Sequence, residues 1–244
     1  MKHARLILVL AVAIFGMAQP ATAAQSLATF YGKISSGFDR TGVFGASDTS
    51  LDGAYATFAF LFDDATPGAY FSVSPTASQL SGGSLYGIPS PGSAVVTVNG
   101  VSVPIAGSYQ SYAARHNGGY DEIDYFAQDY AGTPSGESNW VHGKISSSLN
   151  DFISTTDFNG ILAYDVVPGT DFLADFQFYN PGVGFVGSVQ AYGKMAVSRV
   201  TVQSLIPAVP EPATWLMMIV GFALIGSALR AGRRKAISTP KMVY

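Results

Sequence analysis

The chain has 244 residues, no cysteine, 12% charged residues and a formal net charge of −3. The missing cysteines exclude disulfides, thiol catalysis and covalent haem attachment. The charge is unevenly placed: residues 25–207 hold 6 bases against 15 acids, a net −9, while the ends hold the other cations. That stretch lacks the positive face that nucleic acid or anionic lipid requires.

The N-terminus carries Lys2 and Arg5, then an apolar run from Leu6 to Phe15, then small residues Ala21-Thr22-Ala23-Ala24. This order predicts a secretory signal peptide over 1–24. A single exported domain over 25–207 follows, long enough for a sizeable core. Its Gly, Ser, Thr, Tyr and Phe content favours strands and turns.

Ser26–Ile34 reads as a strand. Ala54–Asp63 alternates, with Ala56, Phe58, Phe60 and Phe62 on one face and Tyr55, Thr57, Ala59 and Leu61 on the other. Tyr70–Ser74 is short and stops at Pro75. Ala94–Val98 and Val101–Ile105 flank Asn99-Gly100, a tight hairpin signal. Tyr109–Arg115 and Tyr120–Gln128 flank Asn117-Gly118-Gly119, a second hairpin. Leu149–Ile153 is a candidate helical turn and Gly160–Val167 an apolar strand. Asp171–Tyr179 groups Phe172, Ala174, Phe176 and Phe178 and turns Asp175 and Gln177 outward. Phe185–Ile206 is too long for one strand, so Gly193 is expected to mark a bulge or turn. The fold class is mainly β, an antiparallel β-sandwich or jelly roll.

Tyr31-Gly-Lys-Ile-Ser-Ser36 recurs as His142-Gly-Lys-Ile-Ser-Ser147 and more weakly as Tyr192-Gly-Lys-Met-Ala196. Internal duplication is one reading. The preferred one is a recurring strand start with glycine where backbones crowd.

Catalytic candidates are few. His116 and His142 are the histidines beyond the signal peptide. Ser138 or Ser146 beside His142 would supply a nucleophile and base. No Gly-x-Ser-x-Gly elbow occurs in 25–207. A glycosidase needs two carboxylates facing one sugar linkage; Glu122 and Glu137 are the only glutamates of 25–207, and many aspartates accompany them. Asp39, Asp48 and Asp52 form one acidic set, and Asp121, Glu122, Asp124 and Asp129 another. Calcium takes such oxygen ligands, and a plain negative surface explains the same residues. On a strand, Asp121 would face away from Glu122 and Asp124. Zinc is disfavoured with two histidines and no thiol. Tyr109, Tyr112, Tyr120, Tyr125, Tyr130 and Trp140 crowd the middle of the chain. They suit either carbohydrate contact or half-buried packing on a sheet.

The C-terminus reads Val209-Pro210-Glu211-Pro212-Ala213-Thr214-Trp215, then an apolar run to Leu229, then Arg230, Arg233, Arg234 and Lys235. Thr214–Leu229 predicts a transmembrane helix about 24 Å long. The basic cluster places its end in the cytoplasm. Here Pro210, Glu211, Pro212, Trp215, Arg230, Arg233 and Arg234 resemble the PEP-CTERM sorting signal, 208–235. The variety with tryptophan after Pro-Glu-Pro (PEPxxWA-CTERM) is the nearest, which implies a Gram-negative, alphaproteobacterial source. Gly32–Gly45 resembles the mature N-terminus of many such proteins, and Ala196–Leu205 their last strand.

The resemblance implies processing by exosortase, an inner-membrane protease-transpeptidase, and ties to the exopolysaccharide and biofilm envelope. The expected protein is a non-enzymatic structural component of the cell envelope or extracellular matrix. A secreted hydrolase such as a glycosidase is the alternative. Expected partners are signal peptidase, exosortase, exopolysaccharide and other surface proteins, with no nucleic acid. The precursor would sit in the inner membrane, N-terminus outside, with residues 236–244 as a cytoplasmic tail.

Overall fold

A computed structural model describes residues 25–132, 136–158, 160–181, 189–205 and Phe222. The expected signal peptide, the sorting signal with its helix over 214–229 and the tail lie outside the described residues, Phe222 apart. Among the described residues no helix is long and apolar enough to cross a membrane. The chain divides between Ile206 and Pro207, and the strands of the described residues all lie in the first unit.

Alternation of apolar and polar side chains generates thirteen strands among the described residues. They are β1 (Gln25–Asp39), β2 (Thr49–Ser50), β3 (Tyr55–Asp63), β4 (Tyr70–Val73), β5 (Ala77–Gly82), β6 (Gly92–Val98) and β7 (Val101–Ile105). The rest are β8 (Gln110–Asn117), β9 (Asp121–Tyr130), β10 (Ser138–Ser147), β11 (Leu162–Asp165), β12 (Asp171–Tyr179) and β13 (Val189–Ser204). They join in one antiparallel sheet ordered β4-β5-β8-β9-β10-β12-β13-β1-β3-β6-β7, with β11 on β13 and β2 on β1.

The sheet curls. Tyr125 on β9 meets Phe30 on β1 at 6.2 Å and Phe62 on β3 at 5.8 Å, although β9 and β3 are far apart in strand order. Phe58 on β3 meets Phe176 on β12 edge-on at 5.7 Å. These rings are fully buried together with Ile34, Ile105, Ile123, Ile145 and Met195. Each such side chain contributes roughly 1.5–3 kcal/mol of burial, and edge-to-face pairs add about 0.5–1.5 kcal/mol. With no disulfide available, this core and the ladders hold the unit.

The expected alternation of Ala54–Asp63 is present: Ala56, Phe58, Phe60 and Phe62 are buried and Tyr55 is exposed. Both hairpins form. Asn99 (φ 49°) and Gly100 (φ 85°) adopt the paired left-handed conformation a two-residue turn needs. Asn117 pairs with Asp121 at the end of the second.

Several expectations are corrected. Val189–Ser204 is one strand, and Gly193 is no turn. It stays in register opposite Gly37 and Phe176, and a Cβ there would lie 2.7 Å from the Phe176 ring. The irregularities fall elsewhere, in the β1 pairing between Tyr31 and Gly32 and between Ile34 and Ser36, and in the β12 pairing between Phe178 and Tyr179. The repeated Gly-Lys-Ile motif lies within β1, β10 and β13, not at a strand start. Its glycines make room in different ways. At Gly32 a Cβ would meet the Ala196 carbonyl, and at Gly143 the Phe30 and Phe60 rings. Gly160–Val167 yields only the short β11.

Leu149–Ile153 is loop rather than helix. The Leu149 and Asn150 N–H groups donate to Ser147 Oγ, at 3.1 and 2.9 Å. Those of Phe152 and Ile153 donate to Asp121 Oδ2, at 2.5 and 2.6 Å. Side chains have taken the donors a helical turn would use.

Candidate functional site

Five strands, β8, β9, β10, β12 and β13, present a continuous outer face because their inward residues are consumed by the core. Pairing aligns the outward side chains in rows. Gln110, Gln128, Trp140, Gln177 and Tyr192 are successive neighbours across the five strands. The adjacent row is Tyr112, Phe126, His142, Asp175 and Lys194. At about 4.8 Å per strand each row spans roughly 19 Å.

The rings of this face pack on one another. Phe126 stacks with Tyr112 at 5.4 Å and with Trp140 at 6.4 Å. Gln110 donates to Tyr86 Oη at 3.0 Å, and Gln128 to Ser138 Oγ at 3.0 Å.

The charged groups form a short network. His142 Nε2 donates to Asp124 Oδ1 at 2.8 Å, with Tyr112 Oη 3.3 Å from the same nitrogen. Burial first, then the Asp124 carboxylate, pushes the Tyr112 hydroxyl well above the ordinary tyrosine range. Lys144 Nζ lies 2.6 Å from Glu122 and 3.9 Å from Asp124. Burial pulls the Lys144 pKa down, but the hydrogen bond and charge of Glu122, with Asp124, outweigh it and leave it raised.

Asp175 stands apart. Its Oδ1 is buried and has no hydrogen-bond partner. Burial raises its pKa against the opposing charges of His142 and Lys194. It opens onto a groove of about 440 Å³, bordered by Arg40, Trp140, Gln177, Tyr192 and Lys194.

The expected aromatic set separates. Tyr112 and Trp140 lie on the outer face. Tyr109 packs at 5.1 Å from Tyr130, and Tyr120 stacks at 4.1 Å on His116. Tyr125 is fully buried in the core, so it cannot touch an external ligand. Its parity is that of Asp121, Ile123 and Ala127, the inward side of β9.

The acidic residues expected to suit calcium are held in other ways. Among the described residues no three His, Asp or Glu side chains converge to hold an ion. The fully buried Asp39 is already saturated. Its Oδ1 accepts the N–H groups of Thr41, Gly42 and Val43, and its Oδ2 that of Phe44. Asp48 is exposed in a left-handed conformation. Asp52 accepts the Gly37 N–H at 2.8 Å. Asp121 is inward and Glu122 and Asp124 outward, as the alternation implies. The cation that screens the last two is Lys144.

Neither serine meets His142, and the two glutamates do not face each other. Ser138 and Ser146 each stand four residues from His142 along β10, so their Cα atoms are roughly 13 Å from it. Gln128 donates to Ser138 Oγ. Glu122 faces Ser146 near one end of β10. Glu137 precedes the other end and binds Asn180. That separation is on the order of 30 Å, far beyond the roughly 5–10 Å of a glycosidase pair. His116 Nδ1 donates to the Tyr120 carbonyl at 3.0 Å, a turn contact.

Sequence reasoning missed Arg40, Asp175, Gln177, Tyr192 and Lys194. Only strand order brings these together. The outward parity of Asp175 and Gln177 was the one available signal.

Residues 208–235 match the PEP-CTERM protein-sorting motif. Pro210, Glu211, Pro212, Trp215, Arg230, Arg233 and Arg234 all lie in that span. The motif marks a PEP-CTERM protein, exported and delivered to exosortase. It is a sorting motif and assigns no catalytic activity. No curated protein and no solved structure matches the chain.

Proposed function

We propose that the exported unit is a structural, matrix-associated surface protein whose outer face contacts exopolysaccharide. One observation carries this reading: the row of Gln110, Gln128, Trp140, Gln177 and Tyr192 across five strands. Indole and phenol rings stack on sugar faces, and amides hydrogen-bond to hydroxyls. The curled sheet acts as a sandwich-like support for that face. Signal peptidase removes residues 1–24, the helix over 214–229 holds the precursor in the inner membrane, and exosortase acts at Pro210-Glu211-Pro212. The tryptophan at 215 supports the PEPxxWA variety. Other surface proteins share the layer as neighbours.

Affinity electrophoresis of the full chain through gels holding neutral and acidic polysaccharides tests the contact. Retardation by at least one polymer is expected, and Trp140→Ala should abolish it. Equal mobility in every gel would refute the reading.

A further inference from the structure

We propose that the groove between β10, β12 and β13 binds a carboxylated sugar, a uronic acid unit of an acidic polymer. This rests on the polysaccharide reading above and names the substrate class of the same face.

Most of the cations are already engaged. Residues 25–207 hold six bases in a net −9 background. Arg115 is buried, its guanidinium donating to the carbonyls of Asp157, Phe158 and Gly160. Lys144 is bound to Glu122, and Arg199 lies 3.7 Å from Asp165. Lys33 sits over the Tyr55 ring at 4.7 Å. The remaining two, Arg40 and Lys194, border one groove. Neither has a carboxylate within 4.0 Å among the described residues. Their convergence is built in by the fold. Lys194 is fixed by register opposite Asp175. Arg40 follows β1, and its N–H donates to the Gln190 carbonyl of β13 at 2.8 Å.

The other walls suit a sugar. Trp140 and Tyr192 offer ring faces and Gln177 an amide between them. Asp175 contributes one negative charge against two positive ones. Its buried, unpartnered Oδ1 needs a donor, and a ring hydroxyl supplies one. A uronate brings all three complements together: a carboxylate for Arg40 and Lys194, hydroxyls for Asp175 and Gln177, and an apolar face for the rings. Charge density separates it from nucleic acid. A polyuronate carries one charge per sugar, whereas duplex DNA carries one per roughly 1.7 Å and meets the net negative surface far more strongly.

A wider groove of about 690 Å³ lies over β1, β3 and β13. Its one cation, Lys33, is engaged by Tyr55, and it holds no buried unpartnered polar atom.

The test is calorimetric titration of the full chain in detergent. The probes are an oligogalacturonate and the neutral oligosaccharide of equal length made by reducing its carboxyl groups. The acidic oligomer is expected to bind about tenfold more tightly at low salt, as opposed charges at an interface do. The preference should shrink as salt rises. Arg40→Ala with Lys194→Ala, both exposed positions, should abolish it while leaving the neutral oligomer's affinity unchanged. Asp175→Asn should tighten the acidic oligomer by removing the repelling charge. Equal affinity for both probes, or a preference that survives loss of both cations, overturns the uronate proposal and spares the polysaccharide reading. Binding of neither probe overturns the proposal, and unretarded migration in all gels is what removes the broader reading.

Discussion

Replacing Asp39 probes the fold where sequence suggested an ion. Its carboxylate accepts four backbone N–H groups, at 3.3, 2.8, 3.0 and 2.6 Å, and is fully buried. The last of these comes from Phe44, whose ring packs on Phe176 at 5.3 Å and Phe178 at 5.7 Å. Asp39→Asn preserves shape but sets an amide N–H against the Phe44 N–H. A buried donor left unsatisfied costs about 1–3 kcal/mol, and the other three bonds drop from charged to neutral strength. The sum is a loss of about 2–4 kcal/mol, a large part of the roughly 5–15 kcal/mol typical of a domain. Asp39→Ala removes every acceptor and should cost about 3–5 kcal/mol. Urea unfolding of the full chain followed by tyrosine and tryptophan fluorescence measures both. Millimolar calcium and a chelator should each leave the wild-type midpoint in place, because the lone pairs are occupied by the backbone. An Asp39→Asn loss below about 1 kcal/mol, or a midpoint that moves with calcium, would refute this account.

Two further outcomes are expected. Gly143→Ala places a Cβ 2.8–2.9 Å from the Phe30 and Phe60 rings, so it should destabilise by about 1–3 kcal/mol through overpacking, read by the same urea titration. Asp175 is held above its ordinary 3.8, burial outweighing His142 and Lys194. The folded state therefore keeps this proton at pH values where the unfolded state has lost it, and stability from this group falls as pH rises. Asp175→Asn should be more stable than wild type near neutrality. The gap should close as pH falls through the folded pKa and vanish below about 3.8. A gap constant with pH would show that ionisation of Asp175 is not its source.

Much of the scaffold was legible because period-two alternation is a local signal. Phe58, Phe60 and Phe62 declare their face, as do Ala174, Phe176 and Phe178, although Phe172, expected with the latter three, is exposed. Asn99-Gly100 declares its turn by the left-handed conformation only such residues accept readily. Ala77–Gly82 was not legible as β5: Ser78, Gln79, Ser81 and Gly82 have little strand preference, and pairing with β4 and β8 holds them. The length of β13 was hidden because Gly193 looks like a break until the Phe176 ring that fills its missing side chain is known. The outer face was half legible. Trp140 and Tyr112 stood out by type, but Tyr125 did too, and only its inward parity removes it. Arg40, Asp175 and Lys194 come from three distant segments, and nothing local links them.

The middle of the sheet joins β1 to β13, the first and last strands of the unit, with Ser26 beside Ser204. This is the widest sequence separation in the ladder. An exported chain that emerges amino end first cannot seat β1 between its two long neighbours until the residues just before the sorting motif have also emerged. Loop closure over such a span is slow. The two parts of the sheet therefore cannot join across β1 and β13 until nearly all of the unit has emerged. That joining then coincides with emergence of the residues just before the sorting motif. A chain cut before Val189 would not be a smaller domain. It would expose two long unpaired edges, on β1 and β12, to whatever lies outside the cell.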